Sequence, residues 1–241
     1  MGRARLTIAL RAALACAAAL AGAIAAPSAP ARAQVAAGLG LTTDYRVRGV
    51  SYTERRPAIT ASLSDDFANG VYAGATMVVE DPPGGNMRLL GHQEYLGYAR
   101  RMDDGLTWDV GLDNQRYEGY GPAPVRLKYT EAYAGLSGRN LSARLYYSPN
   151  YNGSNHNIAY FETNAVLRPA DKWRVTGHAG IFQPLNAWPF VKRRPRYDGR
   201  IELIRTLGRA EVSLGWAGAT PPVGPPKRSE GGVILGASVY F

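Results

Sequence analysis

Asp44, Arg46, Asp109, Asp113, Glu131, Arg144, Glu162, Arg174, His178, Arg200 and Glu202 alternate along the chain with apolar neighbours. A strand sends successive side chains to opposite faces, so residues spaced in this way line one face of a sheet. With both signs of charge present, the chemistry open to such a face is ion pairing, hydrogen bonding and the attraction of polar solutes. A second group, Lys192, Arg193, Arg194 and Arg196, forms a basic cluster in a longer polar stretch. Catalysis would need more. A general base requires a nucleophile within hydrogen-bond reach and a third group to orient it. Of the three histidines, His92 and His156 fall in or beside long connections, and His178 lies beside Thr176 without such a trio. No Gly-x-Ser-x-Gly elbow, His-Glu-x-x-His helix or phosphate-cradling glycine loop occurs. The chain is therefore read as a non-enzyme with no cofactor or metal.

The elements that would position these residues begin after an unusual N-terminus. Arg3 and Arg5 precede an Ala/Leu-rich run from Leu6 to Ala26, followed by Pro27, Pro30 and Ala31-Arg32-Ala33. A charged start, an apolar middle and a small-x-small exit predict a secretory signal peptide over residues 1–33, leaving a mature domain of residues 34–241. Cys16, the single cysteine, leaves with that segment, so thiolate and disulfide chemistry are excluded from the mature chain. Loss of Arg3, Arg5, Arg11 and Arg32 lowers the formal charge from +9 to +5, which is no nucleic-acid footprint. No further run is long and apolar enough for a transmembrane helix, so any membrane passage must use strands.

Period-two alternation recurs at strand length throughout. Val71, Ala73, Ala75, Met77 and Val79 share a parity, as do Leu106, Trp108, Val110 and Leu112, Leu141, Ala143 and Leu145, Trp173 and Val175, and Val212, Leu214 and Trp216. The first strand is read as running from Val35 through Tyr45 and Val47. Short connections at Asp65 to Gly70, Arg101 to Gly105, Ser137 to Asn140, Pro169 to Lys172 and Leu207 to Arg209 take turns with long ones. The long ones run from Arg48 to Arg56, Glu80 to Gly91, Arg116 to Arg126, Ser148 to Asn157, Phe182 to Pro195 and Thr220 to Gly232. Outer-membrane barrels keep short turns at one end and long loops at the other, so the pattern predicts an all-β, antiparallel, up-and-down transmembrane barrel of about twelve strands.

The last strand alternates through Val233, Leu235, Ala237 and Val239 to a terminal Phe241, similar to the signal by which bacterial barrels are recognised for assembly. Trp108, Trp173 and Trp216 fall on the apolar parity. Tyr45, Tyr117, Tyr120, Tyr147, Tyr151 and Tyr160 are read as a girdle at the opposite boundary of the membrane.

The segment Leu41-Thr42-Thr43-Asp44-Tyr45-Arg46-Val47-Arg48-Gly49-Val50-Ser51, with Thr53 and Arg56-Pro57-Ala58-Ile59, resembles the opening motif of the TorF-like family of porin-type proteins. That family commonly has an aromatic where Val47 stands and Gln where Tyr52 stands. Tyr95-Leu96-Gly97-Tyr98, Glu131 to Gly135 and Tyr146 to Tyr151 follow in the family's order. The resemblance implies a porin-like barrel without naming a solute.

Together these features predict an outer-membrane channel for small hydrophilic solutes, with a bore of intermediate width. Arg48, Arg55, Arg56, Lys227, Arg228 and the cluster at 192–196 would make a basic mouth that favours anions. The expected partners are outer-membrane lipid and lipopolysaccharide, the permeant solute, and the barrel-assembly machinery through Phe241, with no nucleic acid. A non-conducting structural or adhesive barrel is the first alternative, and an outer-membrane lipid hydrolase is the second.

Overall fold

The computed structural model describes residues 33–81, 85–118, 127–152, 155–186, 194–220 and 231–241. The predicted signal segment up to Arg32, with Cys16, and Tyr120, Lys192, Arg193, Lys227 and Arg228 lie outside them.

Fourteen strands are present among the described residues. Twelve form the wall: β1 (Ala33–Thr42), β4 (Ala58–Phe67), β5 (Val71–Glu80), β6 (Arg88–Arg101), β7 (Thr107–Tyr117), β8 (Leu127–Ser137), β9 (Leu141–Tyr151), β10 (His156–Ala170), β11 (Trp173–Pro184), β12 (Arg196–Leu207), β13 (Ala210–Thr220) and β14 (Gly232–Tyr240). Each pairs antiparallel with its chain neighbours, and β14 returns to β1 to close the barrel. Closure leaves no strand edge unpaired along the sheet, which a membrane-spanning sheet requires. At the seam Phe241 extends the ladder, donating from its amide to the Ala37 carbonyl at 3.0 Å.

The short connections gather at one end as the sequence pattern predicts; at the other, the link read as a long loop from Ser148 to Asn157 spans only residues 152–155, because Ser148 to Tyr151 extend β9 and His156 and Asn157 begin β10. The turn after β4 shows how one is built. Gly70 takes φ +91° and donates to the Phe67 carbonyl at 3.0 Å, while Asn69 Oδ1 accepts from the Val71 amide at 3.1 Å.

The register fixes which parity faces outward. Leu41, Met77, Leu96, Leu112, Leu145, Phe161, Ile201, Leu214, Trp216, Val233 and Leu235 are all exposed and all stand on the outer face. In water this would be an unstable surface, but it is the apolar band that a barrel presents to lipid. The buried polar and aromatic residues lie inside the bore instead. The expected barrel is therefore found, with the polar parity turned inward.

The remaining two strands, β2 (Arg46–Val47) and β3 (Val50–Ser51), pair with each other and not with the wall. Here the sequence reading is corrected: the first wall strand ends at Thr42, and Tyr45 and Val47 continue its alternation in a separate hairpin. Period two is common to both, so it cannot mark where a chain leaves the wall.

Candidate functional site: a divided barrel interior

The hairpin is held together by the residues that carry the opening motif. Asp44, 4 % exposed, is its hub. Its Oδ2 accepts from Arg46 Nε at 2.6 Å, and its Oδ1 accepts from Ser51 Oγ at 2.5 Å and Thr53 Oγ1 at 3.3 Å. Thr53 Oγ1 also accepts from the Tyr45 amide at 3.0 Å, and the Tyr52 amide donates to the Tyr45 carbonyl at 2.9 Å. Arg46 Nη1 donates to the Gly49 carbonyl at 2.9 Å. The turn residues Arg48 and Gly49 have φ of 48° and 73°, the left-handed pair that a two-residue hairpin demands.

The hairpin points into the barrel. On one side Gly49 lies so close to the Gly218 carbonyl of β13 that a Cβ there would collide with it. On the other, Arg48 Nη2 donates to Oε2 of Glu131 on β8, and its guanidinium stacks 3.9 Å above the Tyr160 ring on β10. Glu131 is fully buried. A cation over an aromatic face and on a carboxylate is favoured most where water is excluded. The segment from Arg48 to Arg56, read as part of an open basic mouth, thus crosses the bore. Arg56 is also engaged, with Glu54 at 3.2 Å and Glu80 at 3.5 Å.

Tyrosines fill the half of the bore between β5 and β10. Tyr117, Tyr151 and Tyr160 are buried inside it, which corrects their assignment to an outer girdle, and Tyr45 joins them from the hairpin. Tyr147 does face outward. Each buried hydroxyl needs a partner. Tyr72 donates to Asp109 Oδ2 at 2.8 Å and lies 2.7 Å from the Tyr133 hydroxyl, Tyr129 donates to Gln115 Oε1 at 2.7 Å, and Tyr146 donates to Glu162 Oε1 at 3.2 Å. The Tyr45 and Tyr117 hydroxyls meet at 3.0 Å. Gly97 and Gly111 leave the space that the Tyr72 and Tyr133 ring tips occupy. Asp113 accepts from Gln93 at 2.9 Å and Gln115 at 2.8 Å, and Asp109 also accepts from Arg144 at 2.6 Å.

The other half is open. A cavity of about 650 Å³ runs beneath the hairpin along β10 to β14, β1 and β4. One wall carries charges already in pairs: Arg200 Nη2 donates to Glu202 at 2.7 Å, and Arg174 spans both oxygens of Glu211 at 2.8 and 3.1 Å. His178 Nε2 lies 2.9 Å from Asp198 Oδ1 and 3.1 Å from the Tyr160 hydroxyl, with Nδ1 2.8 Å from Asn164 Oδ1. None of these partners is a Ser, Thr or Cys nucleophile. The rest of the lining is small and polar, with Thr60, Ser213 and Ser238 beside Gly40 and Gly236.

The structure therefore divides the residues singled out in the sequence. Asp109, Asp113, Glu131, Arg144 and Glu162 belong to the filled half. Arg174, His178, Arg200 and Glu202 line the cavity, and Asp44 and Arg46 roof it from the hairpin rather than from a wall strand. Arg194 is exposed, and Arg196 begins β12 with its guanidinium 4.6 Å above the Phe182 ring. The residues missed in the sequence are the inner tyrosines. Tyr117 shares the parity of Asp109 and Asp113, a signal that was available. Tyr151 shares the parity of Leu145 and Tyr147 and turns inward near an irregularity between β9 and β10, which nothing local announces.

Among solved structures the fold is similar to that of the NanC porin, at 12% identity over 86% of this chain and 99% of that one, with a TM-score of 0.54. It is equally similar to the KdgM porin, at 8% identity with the same coverages and TM-score. No curated protein matches in sequence. Residues 25–189, more than half of the chain, match a family described as bacterial protein of unknown function (Gcw_chp), and the chain belongs to that family.

Proposed function

We propose that this barrel is an outer-membrane channel for the diffusion of small hydrophilic solutes. The observation that carries the reading is the cavity. A bore that served structure alone would be packed with side chains, as the half between β5 and β10 is, whereas the other half is lined by glycines, hydroxyls and ion pairs around about 650 Å³. The apolar outer belt and the porin-like fold support an outer-membrane location; the proposed partners there are lipid, lipopolysaccharide and the barrel-assembly machinery, the last through Phe241. The resemblance of the opening motif to the TorF-like porin family points the same way, and the hairpin gives that motif a use, narrowing the bore from the long-loop end.

The basic mouth is smaller than the sequence alone suggests. Arg48 and Arg56 are bound to carboxylates, which leaves Arg194, Arg196 and, in the sequence beside them, Lys192 and Arg193 to concentrate anions at the rim. We read the chain as a non-enzyme, because the partners of His178 include no Ser, Thr or Cys to form the triad of a lipid hydrolase. Purified, refolded protein in planar bilayers tests the reading. A small, steady conductance without lipid hydrolysis is expected. Silence in the bilayer would favour the structural barrel, and lipid hydrolysis lost on His178→Ala would favour the hydrolase.

A further inference from the structure

The cavity's charges are distributed in a way that says which solutes it suits. Arg46 lies on Asp44 at 2.6 Å, Arg200 on Glu202 at 2.7 Å, Arg174 on Glu211 at 2.8 Å and His178 on Asp198 at 2.9 Å. Arg48, which also reaches the cavity, is bound to Glu131. Every described arginine that lines the space thus has a carboxylate beside it, Asp198 is hydrogen-bonded by His178 and Tyr160, and these groups are spaced from the roof down the β11 to β13 wall.

Paired charges a few ångströms apart nearly cancel beyond their own spacing, so their summed field does not offset the water that a net ion sheds on entering a narrow space. The same pairs are good partners for dipoles. A guanidinium edge next to a carboxylate edge presents donors and acceptors together, and the rest of the lining adds the hydroxyls of Thr60, Ser213 and Ser238. A solute carrying hydroxyls, or an ammonium and a carboxylate at once, can exchange its water for these groups without leaving a charge unmatched.

We infer that the cavity accommodates hydrophilic solutes of zero net charge, polyhydroxylated or zwitterionic. The inference rests on the channel reading and deepens it. It assigns selection to the interior and leaves the rim cations only to concentrate ions outside.

Swelling of proteoliposomes in isosmotic glucose, alanine, gluconate or glucosamine tests it, together with the reversal potential in a potassium chloride gradient. Glucose and alanine should enter at similar rates, both faster than gluconate and glucosamine, and the reversal potential should lie close to zero. Replacing Glu202 and Glu211 together by Gln leaves Arg200 and Arg174 uncompensated, so the reversal potential should move toward that of chloride. Arg174→Gln with Arg200→Gln should move it toward potassium. Faster entry of gluconate than glucose, a chloride-dominated potential in the unaltered protein, or no shift in folded variants would overturn the inference while leaving the channel standing. No entry of any solute would overturn both. Heat-modifiable gel migration shows that each variant is a folded barrel.

Discussion

Arg48 and Glu131 meet inside the barrel although 83 residues separate them in the chain, one at the tip of a hairpin and the other in the middle of β8. Their side chains are 8 % and 0 % exposed. The bond fixes the hairpin across the bore and gives a countercharge to a carboxylate that would otherwise be buried alone. It thereby joins the stability of the molecule to the width of its interior.

Removing one partner should therefore do two things. Arg48→Ala or Glu131→Gln leaves a buried polar group unmatched, with an expected loss of about 3–5 kcal/mol in urea unfolding from lipid. The freed hairpin should also raise single-channel conductance and its noise. The double replacement Arg48→Met with Glu131→Leu should recover most of the stability and keep the altered conductance. A conductance unchanged in all three would show that the hairpin does not limit flow.

Gly49 offers a check that does not touch charge. Its φ of 73° disfavours any side chain by about 1–2 kcal/mol, and a Cβ would strike the Gly218 carbonyl. Gly49→Val should push the tip away from β13, loosening the Arg46 bond to the Gly49 carbonyl, and change conductance with every charged side chain kept. Solvent accessibility of a cysteine placed at Ala219 reports the movement.

The assignment of faces can be tested at neighbouring positions. Leu214 is half exposed on the outer belt, whereas Ser213 lines the cavity. Leu214→Arg should cost up to about 2–4 kcal/mol, depending on its depth in the bilayer, because the cation meets hydrocarbon. Ser213→Arg should cost much less and should reduce conductance instead. Unfolding and bilayer recordings on the same two variants separate the effects.

In the filled half, Asp109→Asn weakens the bonds from Tyr72 and Arg144. The expected loss is about 1–3 kcal/mol, toward the lower figure because Arg144 is partly exposed. Tyr72→Phe should lose less. Hydrogen exchange along β5 and β7 should rise in the first variant more than in the second.

Much of this architecture is legible in the residues themselves. The alternation at Leu106, Trp108, Val110 and Leu112 against Asp109 and Asp113 gives both a strand and its two faces, because a pleated backbone leaves no other arrangement for that spacing. The turns around Gly70 and Gly105 mark one end of the barrel by their brevity. Even the polar set destined for the interior can be read from parity, as Arg174, His178 and Arg200 show. The hairpin cannot. Asp44, Ser51 and Thr53 look like an ordinary polar loop until their bonds to one another are seen.

The amino-acid order thus determined an even-stranded, closed antiparallel sheet with an apolar exterior, since strand period and turn length act locally. Which half of the bore is filled, which arginines are held by carboxylates, and where the first loop lies were decided by the tertiary structure. Those outcomes depend on contacts such as Arg48 with Glu131 and Gly49 with Gly218, whose members come together only when the barrel closes. Local spacing carries no record of distances across a cylinder.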